Sequence, residues 1–110
     1  MLPRDLWPSS DPDTDQQIEI LVRDETELDP PVAVVVHNDD VTPMDFVVQV
    51  LTSIFGLPAL QAARVMLQAH YNGRAVVVKL GQEEAKYRVG QAHAAARANG
   101  YPLSFTIEPE

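Results

Sequence analysis

The fold is decided by the stretch VAVVVHNDDVTPMDFVVQVLTSIFG, residues 32–56. Val32–Val36 is a run of small and β-branched residues long enough for one buried strand. The polar turn 38–40 ends it, because Asn and Asp favour turns by bonding their own backbone. Thr42 predicts a helix N-cap, with proline in the first turn. Apolar residues then recur every three or four positions over 44–55, which predicts an amphipathic helix.

The rest of the chain continues this alternation of helices and strands. A second helix is predicted to begin at Pro58 and to end at Asn72–Gly73, because Asn and Gly tolerate the positive φ found at helix ends. A strand over 74–80, a helix over 82–98 and a strand over 103–107 follow. One side of the second helix carries Leu60, Ala63, Met66, Leu67 and His70, and the third helix has a narrow buried stripe of Ala85, Val89, Ala92 and Ala96.

The order β-α-α-β-α-β predicts one two-layer α/β (α+β) domain, with a three-stranded antiparallel sheet packed on three helices. Residues 32–110 form this predicted core domain. Residues 1–31 contain nine acidic and two basic residues and five of the nine prolines. We therefore predict an acidic, largely disordered N-terminal extension, in which only the more apolar segment Ile18–Val22 is a candidate strand or recognition segment.

The composition argues against several functions. The chain has a formal net charge of −8 and lacks a basic cluster for phosphates, so nucleic-acid binding is not expected. It contains no apolar run of about 20 residues, no secretory leader pattern and no cysteine. We expect a cytoplasmic protein with no membrane association, no disulfide and no thiolate metal site.

The polar segment His37–Met44 and the isolated His70 are the candidate functional residues. Catalysis or metal binding is weakly supported, because no second histidine lies at helical spacing from His70 and no nucleophile motif is present. A plain alternative is a turn with a helix cap, and a histidine that interacts with a helix dipole.

A third interpretation of these residues is capture of a cation. Carboxylate, amide oxygen and neutral imidazole are all hydrogen-bond acceptors, and together they suit an ammonium group with three donors. Apolar residues are available for an adjoining pocket that would take a large hydrophobic side chain. A free α-amine beside such a side chain describes a protein N-terminus. The residues considered for that pocket are Met44, Val47, Met66 and Leu103.

Three segments carry a family resemblance: HNDDVTPMDFVVQVL (37–51), QAARVMLQAHYNGRAVV (61–77) and ARANGYPLSFTIEPE (96–110). In these motifs the chain resembles the ClpS family, the adaptors of the ATP-dependent Clp protease, over about residues 32–110. The resemblance implies a non-enzymatic adaptor that needs no cofactor or metal. Such an adaptor binds N-degron substrates beginning with Leu, Phe, Tyr or Trp. It delivers them to the N-terminal domain of a Clp AAA+ unfoldase of the ClpA or ClpC type.

The same resemblance assigns roles by motif. It assigns the binding of the α-amino group to Asn38, Asp40 and His70. Asp39 belongs to the same motif, where it shapes the turn. His37 is assigned to the rim of the side-chain pocket, and Met44 acts as a gate that disfavours β-branched N-terminal residues. The residues assigned to the pocket itself are Thr42, Met44, Val47, Met66, Ala69 and Leu103. Glu83 and Arg88 match the unfoldase-binding surface, and the acidic extension matches a segment needed for delivery.

The sequence departs from the family pattern at His37, Val41, Ala69 and Arg88, which leaves the ranking of N-terminal residues and the type of unfoldase open. An alternative function also stays open: a non-catalytic modulator that binds the unfoldase N-domain and redirects or inhibits it without binding N-degrons. The two functions differ in one feature, because N-degron binding requires a hollow in which Asn38, Asp40 and His70 converge.

Overall fold

The computed structural model describes residues 29–110 of the chain, and Pro31–Glu110 form one compact unit. The predictions for the acidic extension, including Ile18–Val22, fall almost entirely outside the described residues. Within them, no helix is long and apolar enough to cross a membrane. The elements in chain order are β1 (Pro31–His37), α1 (Met44–Ser53), α2 (Ala59–Asn72), β2 (Arg74–Gly81), α3 (Gln82–Ala98) and β3 (Ser104–Pro109).

The predicted order and the antiparallel sheet are confirmed. The strands lie in the order β2-β1-β3, and β1 pairs antiparallel with both neighbours. Val34 lies opposite Val78 on one side and Ile107 on the other. The register to β2 shifts between Val34 and Val35. The aliphatic run of β1 is therefore central because it is covered by a strand at each edge.

The core lies between the sheet and the helices. Alternate residues Val32, Val34 and Val36 of β1 enter it, as the two-residue period of a strand requires. The α3 stripe is buried as predicted, and its small side chains allow the helix backbone to approach the sheet closely. The stripe comprises Ala85, Val89, Ala92 and Ala96.

Two local predictions are wrong. Thr42 is not the N-cap of α1: the cap position is Pro43, no side chain caps the helix, and the Thr42 hydroxyl bonds Asp39 instead. In α2, the side that carries Leu60 and Leu67 is not the core side, since both are exposed. The buried residues of that helix are Ala62, Val65 and Ala69. Small residues face the core because α2 packs closely there, which leaves the larger apolar residues outside.

Candidate functional site

The loop between β1 and α1 is organised by the carboxylate of Asp39. Its Oδ1 accepts hydrogen bonds from the backbone N–H of Val41 at 2.8 Å and of Thr42 at 2.6 Å. Its Oδ2 accepts the Thr42 hydroxyl at 2.8 Å. Partial burial raises the pKa of Asp39, but these three bonds outweigh it and hold the pKa below its ordinary value. Asp39 therefore shapes the loop.

The same loop is fastened to the end of α2. The backbone N–H of Asn38 donates to the carbonyl of Gly73 at 2.9 Å, and the N–H of Gly73 donates to the carbonyl of Ala69 at 2.7 Å. Gly73 has φ 92°, a left-handed conformation that glycine adopts without steric cost. This junction places Asn38 and its neighbours beside the last turn of α2, which carries His70.

The connection between α3 and β3 forms the third side of the candidate site, next to the loop and α2. The guanidinium of Arg97 donates to the carbonyls of Tyr101 at 2.8 Å and Leu103 at 3.1 Å. The ring of Tyr101 packs edge-on against Phe46 of α1, with centroids 4.9 Å apart. These contacts hold the connection in place, and the Leu103 side chain is only 1% exposed.

A cavity of about 300 Å³ lies where the loop, α1, α2 and the start of β3 meet. All eleven residues that the sequence assigned to the amine site and the side-chain pocket line it. Three more lining residues were not assigned, although each is a chain neighbour of an assigned one. The eleven are His37, Asn38, Asp39, Asp40, Thr42, Met44, Val47, Met66, Ala69, His70 and Leu103, and the three are Val36, Val41 and Pro43.

The cavity is apolar at its floor and polar at its mouth. Val36, Ala69 and Leu103 are each at most 3% exposed, so they form the floor of the cavity. The side chains of Asn38, Asp40 and His70 line the same cavity and are exposed. Met44, 44% exposed, also lies at the mouth. A ligand with an apolar side chain and a polar end fits this gradient with the polar end outward.

The polar groups at the mouth are available to a ligand. Within residues 29–110, the Asn38 side-chain amide, the Asp40 carboxylate and the His70 imidazole make no hydrogen bond to the protein. His70 has a ring contact with Tyr71, edge-on at a centroid distance of 5.1 Å. The same part of the chain holds no group of three or more His, Asp or Glu suited to a metal ion. The side chains of Asn38, Asp40 and His70 instead offer hydrogen-bond acceptors, one of them a carboxylate, and such a set suits a cationic donor.

Glu83 and Arg88 lie on α3, outside the lining of this cavity. Arg88 is anchored within the protein: its Nε lies 2.6 Å from Glu84 Oε2, and its Nη1 donates to the carbonyl of Ile54 after α1. Glu83 is exposed and lies 3.6 Å from the Lys86 ammonium. At 100° per residue, the five positions between Glu83 and Arg88 separate them by about 140° around the helix. Sequence reasoning did not identify Glu84 as the partner of Arg88, although the i, i+4 spacing is the indication.

Comparison with known proteins gives concordant results. The family model of the ATP-dependent Clp protease adaptor protein ClpS matches residues 27–106. The ATP-dependent Clp protease adapter protein ClpS of Vibrio atlanticus is 39% identical over 92 residues, which cover 82% of this chain and 87% of that protein. The protein of the same name from Syntrophus aciditrophicus is 44% identical over 75 residues, 68% of this chain and 70% of that one.

A solved structure is similar in fold as well as in sequence. The structure of Agrobacterium tumefaciens ClpS2 bound to L-phenylalaninamide superposes with a TM-score of 0.70 at 39% identity, covering 73% of this chain and 96% of that one. The β-α-α-β-α-β fold, the HNDD loop beside the end of α2 and these matches lead to one assignment. The chain belongs to the ClpS family of ATP-dependent Clp protease adaptor proteins.

Proposed function

We propose that this protein binds the N-terminal residue of N-degron substrates and delivers those substrates to a Clp AAA+ unfoldase–protease. The observation that carries the proposal is the cavity of about 300 Å³, with its buried apolar floor and its open acceptors at the mouth. This volume is at the small end of ligand pockets, about 300–1,000 Å³, and suits one side chain rather than a long segment.

In this proposal the α-ammonium group is held at the mouth. Its three N–H donors meet the Asn38 amide oxygen, the Asp40 carboxylate and a neutral His70 nitrogen. Charge-assisted hydrogen bonds of this kind contribute about 1.5–3 kcal/mol each. Asp39 contributes indirectly, because its own oxygens accept bonds from Val41 and Thr42 within the loop.

The side chain of the first residue would occupy the apolar part of the cavity. Burial of Leu or Phe contributes about 1.5–3 kcal/mol, whereas micromolar binding needs about 8 kcal/mol. The polar contacts at the mouth must therefore supply much of the affinity. Met44 at the mouth would disfavour β-branched first residues, because their extra methyl lies next to the backbone. The remaining contacts of the pocket are Thr42, Val47, Met66, Ala69 and Leu103, with His37 at the rim.

The ligand of the similar structure supports this mode. L-phenylalaninamide carries a free α-amine, an aromatic side chain and an amide in place of a carboxylate. Chemically it stands in for the first residue of a peptide, with the amide in place of the first peptide bond. The proposal transfers that chemistry to the present chain, whose cavity has the matching floor and mouth. No bond is made or broken in this binding, so it requires no nucleophile and no cofactor.

For delivery, we propose that the partner is the N-terminal domain of a ClpA-type or ClpC-type unfoldase in the cytoplasm. Exposed Glu83 would contact it directly, and Arg88 would present the part of its guanidinium that Glu84 and Ile54 leave free. The acidic extension, residues 1–31, would act in delivery and not in peptide binding. A modulator that never binds N-degrons would have no use for the open acceptors at the cavity mouth.

A peptide panel tests the proposal. Fluorescent peptides that differ only in the first residue are titrated with the protein and followed by anisotropy. Peptides beginning with Leu, Phe, Tyr or Trp should bind, while those beginning with Val, Ile or Lys, and all N-acetylated forms, should bind much more weakly. Uniform affinity across the panel would contradict the proposal.

A further inference from the structure

The third histidine of the chain, His93, lies at the edge of the buried stripe of α3, next to β3. It is half-buried, and its Nε2 accepts the backbone N–H of Phe105 at 3.0 Å. The two rings are tilted against each other with centroids 6.1 Å apart, and Phe105 packs in turn against Phe55. Because β3 is an edge strand, this N–H points away from β1 and has no strand partner. His93 therefore pairs an open backbone donor beside the core.

A second side chain of α3 holds the same stretch of chain. Arg97 lies one turn after His93, and its guanidinium donates to the carbonyls of Tyr101 and Leu103. Leu103, a floor residue of the cavity, thus lies between two contacts from α3. Arg97 binds the carbonyl of Leu103 itself, and His93 binds the N–H two residues later. The position of this floor residue depends on both contacts.

The bond to Phe105 defines the protonation state of His93. A backbone N–H only donates, so Nε2 carries a lone pair, and the ring is neutral with its proton on Nδ1. An imidazolium has two N–H donors and no acceptor, so it cannot make this bond. Burial, and then the positive charge of Arg97, lower the pKa of His93 below its ordinary value, which favours the neutral ring.

Among residues 29–110, Arg97 is the one charged group that acts on His93. α3 packs on all three strands, and the strand residues that face it are apolar. The other charged residues of α3 precede His93 by five positions or more, and the ring of Tyr101 packs against Phe46. The charged residues of the strands lie on the opposite face of the sheet, where they form the pairs Arg74–Glu108 and Lys79–Glu110.

We propose that His93 is a positioning residue for the cavity floor, and that its protonation releases the start of β3 and weakens binding of the substrate's N-terminal residue. The inference rests on the proposed function, because the cavity is its binding site. The neutral imidazole holds Phe105, two residues after Leu103. The protonated ring no longer accepts this N–H and repels Arg97, so the contacts on both sides of Leu103 weaken together. Substrate binding is thereby coupled to pH through a residue outside the cavity lining.

The lowered pKa of His93 sets the direction of the pH dependence. A histidine whose pKa is lower in the folded than in the unfolded protein stabilises the fold fully above the unfolded value, about 6.5. The contribution of the bond to Phe105 is then lost as the pH falls through the folded pKa. Acidic pH therefore favours the released state.

Peptide affinity at two pH values tests the inference. A Phe-initiated peptide is titrated at about pH 7.5 and about pH 5, on either side of the histidine pKa. The wild type is compared with His93→Gln, whose amide oxygen accepts an N–H at both pH values. Both proteins lose affinity on acidification, because protonated His70 no longer accepts. The wild type should lose about two- to tenfold more, the effect expected for one hydrogen bond. Equal losses in the two proteins overturn the inference.

His93→Ala provides a second variant, which has no acceptor at either pH. It should bind the peptide about two- to tenfold more weakly than the wild type at pH 7.5. Its further loss on acidification should match the smaller loss of His93→Gln. Wild-type affinity of His93→Ala at pH 7.5 would contradict the positioning role.

The amide of Phe105 reports on the contact in the absence of peptide. Its NMR chemical shift should move with pH in the wild type and stay nearly constant in His93→Gln. Arg97→Gln removes the neighbouring positive charge, so the midpoint of this movement should shift to higher pH, which identifies His93 as the titrating group. The same pH dependence in the wild type and in His93→Gln would rule out the contact as its source.

The acetylated peptide separates this inference from the proposed function. If the free-amine peptide binds far more tightly than its acetylated form, but the wild type and His93→Gln lose equal affinity on acidification, the proposed function stands and the role of His93 is overturned. If the two peptides bind alike to the wild type, the proposed function has failed, and the positioning role fails with it.

Discussion

Two adjacent carboxylates illustrate how position in the loop decides the role of a residue. Asp39 accepts three hydrogen bonds from Val41 and Thr42, whereas the Asp40 carboxylate makes none within residues 29–110 and is exposed beside the cavity. The side chains have the same chemistry. One carboxylate stabilises the loop, and the other is left available to a ligand.

The pair gives a matched prediction. Asp39→Ala should lower the free energy of unfolding by about 1–2 kcal/mol at neutral pH, because three donors lose their acceptor. Asp40→Ala should leave that free energy nearly unchanged and weaken peptide binding about tenfold or more. Chemical denaturation and peptide titration of both variants measure the two effects. The assignment is contradicted if Asp40→Ala destabilises the protein as much as Asp39→Ala.

The depressed pKa of Asp39 gives that stabilisation a direction with pH. A carboxyl whose pKa is lower in the folded than in the unfolded protein stabilises the fold fully above the unfolded value, about 3.9. Its contribution disappears as the pH falls through the folded pKa. The difference in stability between the wild type and Asp39→Ala should therefore shrink below about pH 4.

At the residue scale, the motifs predicted which residues line the cavity, and the family resemblance already gave Asp39 the role of shaping the turn. The individual hydrogen bonds by which Asp39 does so were not predicted. The bonds from Val41 and Thr42 depend on the curvature of the loop, which composition does not determine. The bond between His37 and Thr106 was not predictable either, because it joins residues 69 positions apart through the register of β1 and β3.

At the element scale, the sequence was most accurate where one rule acted alone. The α3 boundaries, Gln82–Ala98, and its alanine stripe followed directly from periodicity. Two rules competed at the start of α1, where Thr42 is a good N-cap but Asp39 takes its hydroxyl. Periodicity also failed to identify the core side of α2, because small residues there pack closely while Leu60 and Leu67 face outward.

The junction of α2 with the loop yields a prediction about one glycine. A Cβ at Gly73 would meet no atom within 4 Å, so Gly73→Ala tests backbone conformation alone. At φ 92° an alanine costs about 1–2 kcal/mol. Because Gly73 also accepts the N–H of Asn38, relief of this strain should disturb the amine site and weaken peptide binding.

Gly56→Ala provides the control for that variant. Gly56 has a similar φ of 74° and open space around it, but it lies beyond the C-terminal end of α1, whereas the cavity-lining Met44 and Val47 lie near the N-terminal end. It should lose comparable stability in a denaturation experiment and keep the wild-type peptide affinity. Equal losses of affinity in both variants would mean that the Gly73 junction has no special part in the site.

At the scale of the whole molecule, the net charge of −8 is unevenly distributed. Residues 1–31 carry a balance of −7, and residues 32–110 carry −1. The cavity and every group proposed to contact the N-terminal residue belong to the nearly neutral part. We therefore expect peptide binding and delivery to separate along the chain.

Deletion of residues 1–30 tests that separation. The deletion stops just before β1, so the compact unit Pro31–Glu110 stays whole. Peptide affinity should match that of the full chain, while degradation of an N-degron substrate by the unfoldase–protease should slow strongly. A control in which residues 1–28 are replaced by a Gly/Ser-rich segment of equal length shows whether length or sequence matters. Loss of peptide affinity on deletion would place the extension in the binding site.

The central claim is that one cavity binds a free α-amine and a large hydrophobic side chain together, and calorimetric titration of a Phe-initiated peptide against its N-acetylated form tests it most directly. Acetylation removes the charge and two donors but keeps the side chain. The free peptide should bind at least about a hundredfold more tightly, and His70→Ala should erase most of that difference. Equal affinity of the two peptides for the wild-type protein would contradict the account.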